Sequence, residues 1–282
     1  KIEIGSVSSR MGKTTVELSH ITKTYGDHVL ISDFSYIFLK NDRIGFVGKN
    51  GCGKTTLMKI IDGRILPDAG EVTIGQTIKI GYYTQEIEQD ENAGIAYMDP
   101  KLRVIDYIKN TAEYVRTEDG LVSASAMLDK FLFPPEEQYG QIKKLSGGEK
   151  RRVAIAGVLA TKPELLMLDE PLAGLDPMAR EMFLEFLEGL TGQGVSVVMV
   201  SHNVDALAQH AARIIGMKQG KIVMDGSCQE VLGDSRALRT IGLLGSEAAQ
   251  TAELLRANGV LPGSGLPVTY EALRDEIIGA LT

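Results

Sequence analysis

The run Gly48-Lys-Asn-Gly-Cys-Gly-Lys54-Thr55 constrains the fold of this 282-residue chain more than any other segment. It follows Arg43-Ile-Gly-Phe-Val47, which reads as a strand, and it leads into Lys54 to Ile61, whose apolar spacing is helical. Closely spaced glycines let the backbone curl its N–H groups inward, and a helix N-terminus adds partial positive charge. Strand, glycine loop and helix in that order form an anion cradle of the pattern G-x-x-x-x-G-K-[ST]. In such a cradle Lys54 would lie between the β- and γ-phosphates of a nucleotide, and the Thr55 hydroxyl would hold Mg2+.

The surrounding order fits that core. Thr15 to Thr84 is β-rich, with alternating runs such as Val16, Leu18 and Ile21, then Phe34, Tyr36 and Phe38, broken at Gly26-Asp27 and Asn41-Asp42. Val104 to Leu132 has helical spacing, with Pro134-Pro135 as a stop. From Gly147 the expected order is a helix, a buried strand Leu165 to Leu168, a helix Pro177 to Leu190, a buried strand Val195 to Val200, and a helix Asn203 to His210. Continuous apolar strands alternating with helices imply a parallel sheet covered on both faces. Arg213 to Met217 and Ile222 to Met224 read as a hairpin through Gln219-Gly220. Helical pieces Glu247 to Asn258 and Thr269 to Leu281 close the chain, separated by a Pro- and Gly-rich loop.

Two further segments carry chemistry. Leu165-Leu-Met-Leu-Asp169-Glu170 ends a hydrophobic strand in two carboxylates, where Asp169 can complete a Mg2+ shell and Glu170 can polarise an attacking water. Leu145-Ser-Gly-Gly-Glu149 opens a helix at which Ser146 and the N–H groups of Gly147 and Gly148 make a second anion site; read alone it is an ordinary N-cap. Against these, His20, His28 and His210 show no metal-ligand grouping. Lys143, Lys144, Lys150, Arg151 and Arg152 read more simply as a solvated helix face than as a nucleic-acid patch.

Composition narrows the setting. No apolar stretch reaches the roughly 18 residues of a membrane span, and no apolar signal core follows Lys1. Two cysteines, Cys52 and Cys228, make no disulfide framework. These traits suit a cytoplasmic protein. The net charge of −7 is unevenly distributed: up to Arg152 there are 21 basic and 21 acidic residues, and beyond it 9 and 16. Of the 16 Phe and Tyr residues, 13 precede Arg152.

Taken together, these motifs resemble the nucleotide-binding domain of the ATP-binding cassette (ABC) family over Val16 to about Gly226. The resemblance implies an α/β, P-loop NTPase core of the ABC type with an antiparallel β subdomain, a helical subdomain at about 86–160 and a small helical extension at 227–282. It implies ATP and Mg2+ as ligands and ATP hydrolysis as the activity. On these positions Gly48, Asn50, Gly51, Cys52, Gly53, Lys54, Thr55 and Thr56 hold the phosphates, and Tyr25 stacks on adenine. Thr55, Gln85 and Asp169 serve the metal, and Glu170, His202, Gln85 and Lys54 serve catalysis. Ser146, Gly147 and Gly148 form the family signature, and Ala173-Gly-Leu-Asp176 is the loop that crosses between paired domains. One copy of each motif implies head-to-tail pairing with a second ABC domain.

The two parts are similar to different branches. Up to Arg152, Gly5-Ser-Val-Ser-Ser-Arg-Met-Gly12, Met98-Asp-Pro-Lys-Leu-Arg-Val-Ile-Asp106 and Phe131-Leu-Phe-Pro-Pro135 resemble the second cassette of the ribosome-associated ABC-F class. Beyond it, Glu170-Pro-Leu-Ala-Gly-Leu-Asp-Pro177, Val200-Ser-His-Asn203 and the helical tail resemble the ATPases of energy-coupling-factor (ECF) importers, although Leu172 replaces their usual Thr. The expectation is a mosaic, natural or engineered, joined at about 145–153. The leading function is an ATP-hydrolysing cassette with a transporter-type C-terminal half. It would pair with a copy or a related cassette and lie at the inner face of the membrane, with docking to a membrane subunit in doubt because the docking surface is ABC-F-like. The alternatives are an ABC-F fragment, against which the missing second cassette and the absence of a charged linker count, and a chimeric fold that binds nucleotide with little turnover. A ribosome partner is accordingly not expected.

Overall fold

The computed structural model of the chain describes residues 14–84, 98–112, 114–117 and 120–281. Gln85 and the Gly5 to Gly12 run lie outside the described residues, as does much of the first part of the expected helical subdomain. The strands, in chain order, are β1 Thr14–Tyr25, β2 His28–Leu39, β3 Arg43–Val47, β4 Ala69–Ile74, β5 Ile80–Tyr83, β6 Tyr114–Thr117, β7 Gly120–Ser123, β8 Leu165–Asp169, β9 Ser196–Val200, β10 Arg213–Lys218 and β11 Lys221–Ser227. The chain divides into two compact units. One comprises residues 1–15, 39–41 and 74–197, the other 16–38, 42–73 and 198–282.

The second unit carries the phosphate-loop helix Lys54–Ile61. It holds a three-stranded sheet in the order β2-β1-β4 and the strand series β11-β10-β3 followed by the later part of β9. β10 runs parallel to β3, pairing Ile214 with Gly45 and Gly216 with Val47, and antiparallel to β11. The expected hairpin through Gln219-Gly220 is therefore present. β3 is almost wholly buried because helix Val204–His210 lies over it, and this approach requires Gly45: a Cβ there would come within 2.8 Å of Ile214 and Leu207. Burial on both faces explains why these strands read as unbroken apolar runs.

At the C-terminal end of this unit, helix Glu247–Ala257 packs against Tyr270–Leu281 through Ala248, Ala252, Leu261 and Leu273. Small residues on one helix let the other approach closely. An Arg256–Glu276 ion pair and a hydrogen bond from the Tyr270 hydroxyl to Glu247 tie the helices together. The Glu247 N–H donates to Asp205 at 2.8 Å, which anchors them to the helix after β9.

In the first unit, β5 pairs parallel with β8, and β9 begins beside β8. Helix Gly147–Ala160 covers this sheet, and Gly81 is required beneath it, since a Cβ would come within 2.9 Å of Val158 and Pro163. Helix Val104–Lys109 in turn packs on Gly157, where a Cβ would come within 2.7 Å of the Tyr107 ring. Gln138, fully buried, donates to the carbonyls of Phe133 and Ser125 and pins the loop after helix Ala124–Lys130.

Two expectations are corrected here. The helical reading of Val104 to Leu132 fails in its middle: β6 and β7 form an antiparallel hairpin that pairs Val115 with Val122 and Thr117 with Gly120. Tyr114, Val115, Thr117 and Val122 have the branched and aromatic side chains that favour strands, and Asp119-Gly120 is a turn signal that should have outweighed the apolar spacing. Nor is the basic cluster a uniformly solvated face. Arg151 donates to the Ala173 carbonyl, and the Arg152 guanidinium lies 5.3 Å from the centre of the Phe133 ring.

Candidate functional site

The phosphate loop is built in the second unit from three glycines in conformations that other residues avoid. Gly48, Gly51 and Gly53 have φ of 150°, 77° and 104°. At Gly48 the demand is absolute, because a Cβ would fall 2.4 Å from the Met217 carbonyl oxygen and 2.9 Å from Cys52 Sγ. Gly53 caps helix Lys54–Ile61 with no side chain, so the first N–H groups of that helix have no side-chain acceptor of their own at the cap. Lys54 is buried, and its ammonium donates to the carbonyls of Gly48 at 2.6 Å and Lys49 at 3.2 Å, which holds the charge along the inside of the loop. Asn50 and Thr55 are exposed at its mouth, Thr56 is half-buried and Cys52 is buried beneath it.

The loop is braced from outside any motif. The Gly220 N–H donates to the Cys52 carbonyl at 3.1 Å, and the Gly220 carbonyl accepts from the Ser32 N–H at 3.2 Å. The β10–β11 turn therefore sits between the phosphate loop and β2. The Gln219-Gly220 pair was legible as a turn, but nothing in the sequence signalled that the turn touches the loop.

Two more candidates lie in this unit. Tyr25 ends β1, is half-exposed and has the Lys23 ammonium 5.6 Å from its ring centre, so one aromatic face is supported by a cation. His202 is exposed between buried Ser201, whose N–H reaches the Phe46 carbonyl, and the cap of helix Val204–His210, where Asn203 accepts from the Ala206 N–H at 2.8 Å. The backbone on both sides of His202 is thus fixed.

The carboxylates and the signature belong to the first unit. β8 is buried at every residue and ends on Asp169. Glu170 follows at φ 50°, in the left-handed region that costs a non-glycine residue about 1–2 kcal/mol. The turn is closed by the Ala173 N–H donating to the Glu170 carbonyl. Strain held at a single residue beside a buried carboxylate is typical of functional positions. Tyr83 lies beside this strand end. Burial pushes its hydroxyl up to about 12, against the pull of the Arg151 cation and with the push of the Asp169 charge.

Ser146 caps helix Gly147–Ala160 in a capping box: its hydroxyl oxygen accepts from the Glu149 N–H at 3.3 Å, and the Glu149 carboxylate accepts from the Ser146 N–H at 2.7 Å. Hydrogen bonds from the Ser146 hydroxyl and the Ser146 N–H to its carboxylate hold the Glu149 carboxyl below the usual range. Ser146 and Gly147 are exposed. The Ala173 to Asp176 loop packs directly on this helix end. Arg151 donates to the Ala173 carbonyl, and a Cβ on Gly148 would come within 3.1 Å of the Gly174 carbonyl oxygen. This contact joins the motif inside the expected junction to the Ala173 to Asp176 loop beyond it, and no sequence rule pointed to it.

Among the described residues, no group of His, Cys, Asp and Glu has a metal-binding arrangement of its own, and no helix is long and apolar enough to cross a membrane. The donor chemistry still suits nucleotide and Mg2+. The loop offers backbone N–H groups and one ammonium to an anion, and within the same unit the Thr55 hydroxyl is an oxygen donor of the kind a hard cation prefers; in the first unit the Asp169 carboxylate is another such donor.

Comparison with known proteins agrees with this chemistry. The family described as ABC transporter matches residues 31–173. The chain is 39% identical over 233 residues to the uncharacterized ABC transporter ATP-binding protein YfmR of Bacillus subtilis, covering 82% of this chain but 35% of that protein. It is 32% identical over 281 residues to the energy-coupling factor transporter ATP-binding protein EcfA2 of Enterococcus faecalis, covering 93% of this chain and 94% of that one. Both similarities run across residues 145–153, where Gly147–Ala160 is one uninterrupted helix. The fold resembles that of the dimeric ATP-binding cassette MJ0796 in a post-hydrolysis state with ADP and Pi, at TM-score 0.64 and 24% identity over 76% of this chain and 99% of that one.

Proposed function

The chain belongs to the ABC transporter family as one of its ATPase domains, and on that premise we infer that it hydrolyses Mg-ATP as half of a head-to-tail pair of cassettes serving an importer of the ECF type. The observation that carries this reading is the phosphate loop, with its three left-handed glycines and its buried Lys54, in a chain similar to EcfA2 over nearly the full length of both. The chain spans about a third of YfmR, so the second cassette is either a separate copy or part of a longer chain.

The residues divide the work by their chemistry. The N–H groups of the loop and the Lys54 ammonium bind the phosphate chain, and Tyr25 offers its exposed ring to the base. Thr55 and Asp169, with Gln85 from outside the described residues, would hold Mg2+, which when bound neutralises charge on the transferring phosphoryl group. Glu170 accepts hydrogen-bonding from the attacking water, and its turn presents that carboxylate at the end of a rigid strand. His202 contributes a further donor toward the γ-phosphate. Ser146 and the N–H groups of Gly147 and Gly148 close the nucleotide of the partner cassette, so each chain supplies half of two sites. Pairing, the ECF membrane partner and a cytoplasmic, membrane-peripheral location stand or fall with this assignment.

The test is Mg-ATP turnover as a function of protein concentration, with Glu170→Gln as the comparison. Specific activity that rises with concentration, and vanishes in the variant while ATP binding persists, supports the paired ATPase. Tight binding without turnover at any concentration overturns it.

A further inference from the structure

One concavity in the first unit has no part in the chemistry above. It has a volume of about 480 Å3, within the size range of small-ligand pockets. Its floor is apolar, made chiefly by Met127, Leu159, Phe186 and Leu190, with the Phe186 ring braced edge-on against Phe131 at 5.1 Å between centres. It also borders Glu164, the residue before β8, whereas Asp169 and Glu170 lie at the other end of that strand. At about 3.3 Å per residue, roughly 16 Å separates the pocket from the carboxylates.

Its rim is positively charged in a chain that is net negative. Lys40, Lys130 and Lys162 line it, and among the described residues none of the three makes an ion pair. The one acidic lining residue, Glu164, already accepts the Lys79 N–H at 2.7 Å. Lys40 is held in place by its neighbours, since the Asn41 N–H donates to Ser196 Oγ and that hydroxyl donates to the Leu39 carbonyl. Lys162 carries an independent signal. It stands just beyond the C-cap of helix Gly147–Ala160 at φ 58°, the position where glycine is the unstrained choice. A lysine there bears a backbone cost relative to glycine, offset in part by its cation standing at the helix C-terminus.

We propose that this pocket binds a small amphipathic anion, an apolar chain ending in a carboxylate. The chain lies among Met127, Leu159, Phe186 and Leu190, and the head group is held by Lys130, Lys162 and Lys40. A cationic rim around an apolar floor repels the cationic counterpart of the same chain, and a volume of about 480 Å3 suits a single small ligand.

Decanoate below its micelle concentration is the probe, followed by calorimetry, with decyltrimethylammonium as the cation of equal chain length. Decanoate is expected to bind saturably at one site and at least tenfold more tightly than the cation. In the double variant Lys130→Gln/Lys162→Gly its affinity should fall at least fivefold, while the melting temperature stays the same or rises because Gly relieves the left-handed strain. Absent saturable binding, equal binding of the cation, or unchanged affinity in a folded double variant would each overturn the proposal.

Discussion

Replacing Gly220 by alanine tests whether the β10–β11 turn is a structural part of the nucleotide site. The residue has φ 71°, and an added Cβ would lie 2.1 Å from the Leu30 carbonyl oxygen and 2.5 Å from Ile31 Cα, both backbone atoms that cannot swing aside. Left-handed geometry alone costs alanine about 1 kcal/mol. The overlap forces the turn away from β2, which puts at risk the bonds from Gly220 N–H to Cys52 and from Ser32 N–H to Gly220, each worth about 0.5–1.5 kcal/mol. The sum is roughly 2–4 kcal/mol, or a fall of roughly 3–7 °C in melting temperature for a protein of this size. Because one of those bonds ends on Cys52 inside the phosphate loop, ATP affinity should fall as well, by at least fivefold under conditions where the variant is still folded. Thermal unfolding by circular dichroism and ATP titration by calorimetry measure the two effects. Gln219→Gly, at the neighbouring left-handed residue, serves as the control and should change stability by no more than about 1 kcal/mol. If Gly220→Ala melts within 2 °C of the parent, or loses stability but binds ATP unchanged, the bracing role is wrong.

The remaining predictions concern the capping box and the cysteines. Ser146→Ala removes the cap of helix Gly147–Ala160 and should cost about 1 kcal/mol in chemical denaturation. Glu149 has its carboxyl held low in the folded state, so its stabilising contribution is present above the ordinary glutamate range, near about 4.3, and is lost as pH falls through the lowered folded value. Melting temperature should therefore drop on acidification below that range, and Glu149→Gln should make the drop shallower; an identical pH profile in the variant would refute the assignment. Cys228, whose thiol burial pushes up to about 11 and whose S–H donates to the Ala211 carbonyl at 2.9 Å, should resist alkylation at neutral pH in the native protein and react only on unfolding. Mass spectrometry of iodoacetamide-treated protein checks this directly.

Much of this protein could be read from local residue order, because the features concerned are enforced locally. Glycine spacing at Gly48, Gly51 and Gly53 dictates a backbone that only glycine adopts, and a buried strand running into Asp169 leaves an unbroken apolar signature. The caps at Ser146, Asp176 and Asn203 are likewise short-range hydrogen bonds between residues three apart. The β6–β7 hairpin was misread because side-chain periodicity in a short apolar stretch cannot separate strand from helix without weight on its turn.

Tertiary structure alone decided what depends on residues distant in sequence. Gly220 braces the loop around Cys52 across more than 160 positions, and Arg151 secures the Ala173 carbonyl 22 residues away. Lys40, Lys130 and Lys162 converge on one apolar hollow from separate turns. Each of these is a side chain or carbonyl satisfied by a neighbour that chain folding brings near, and no local preference encodes the choice of partner. Sequence determined which loop would hold a phosphate chain. Packing decided what keeps that loop in shape and where a second, unrelated pocket would open.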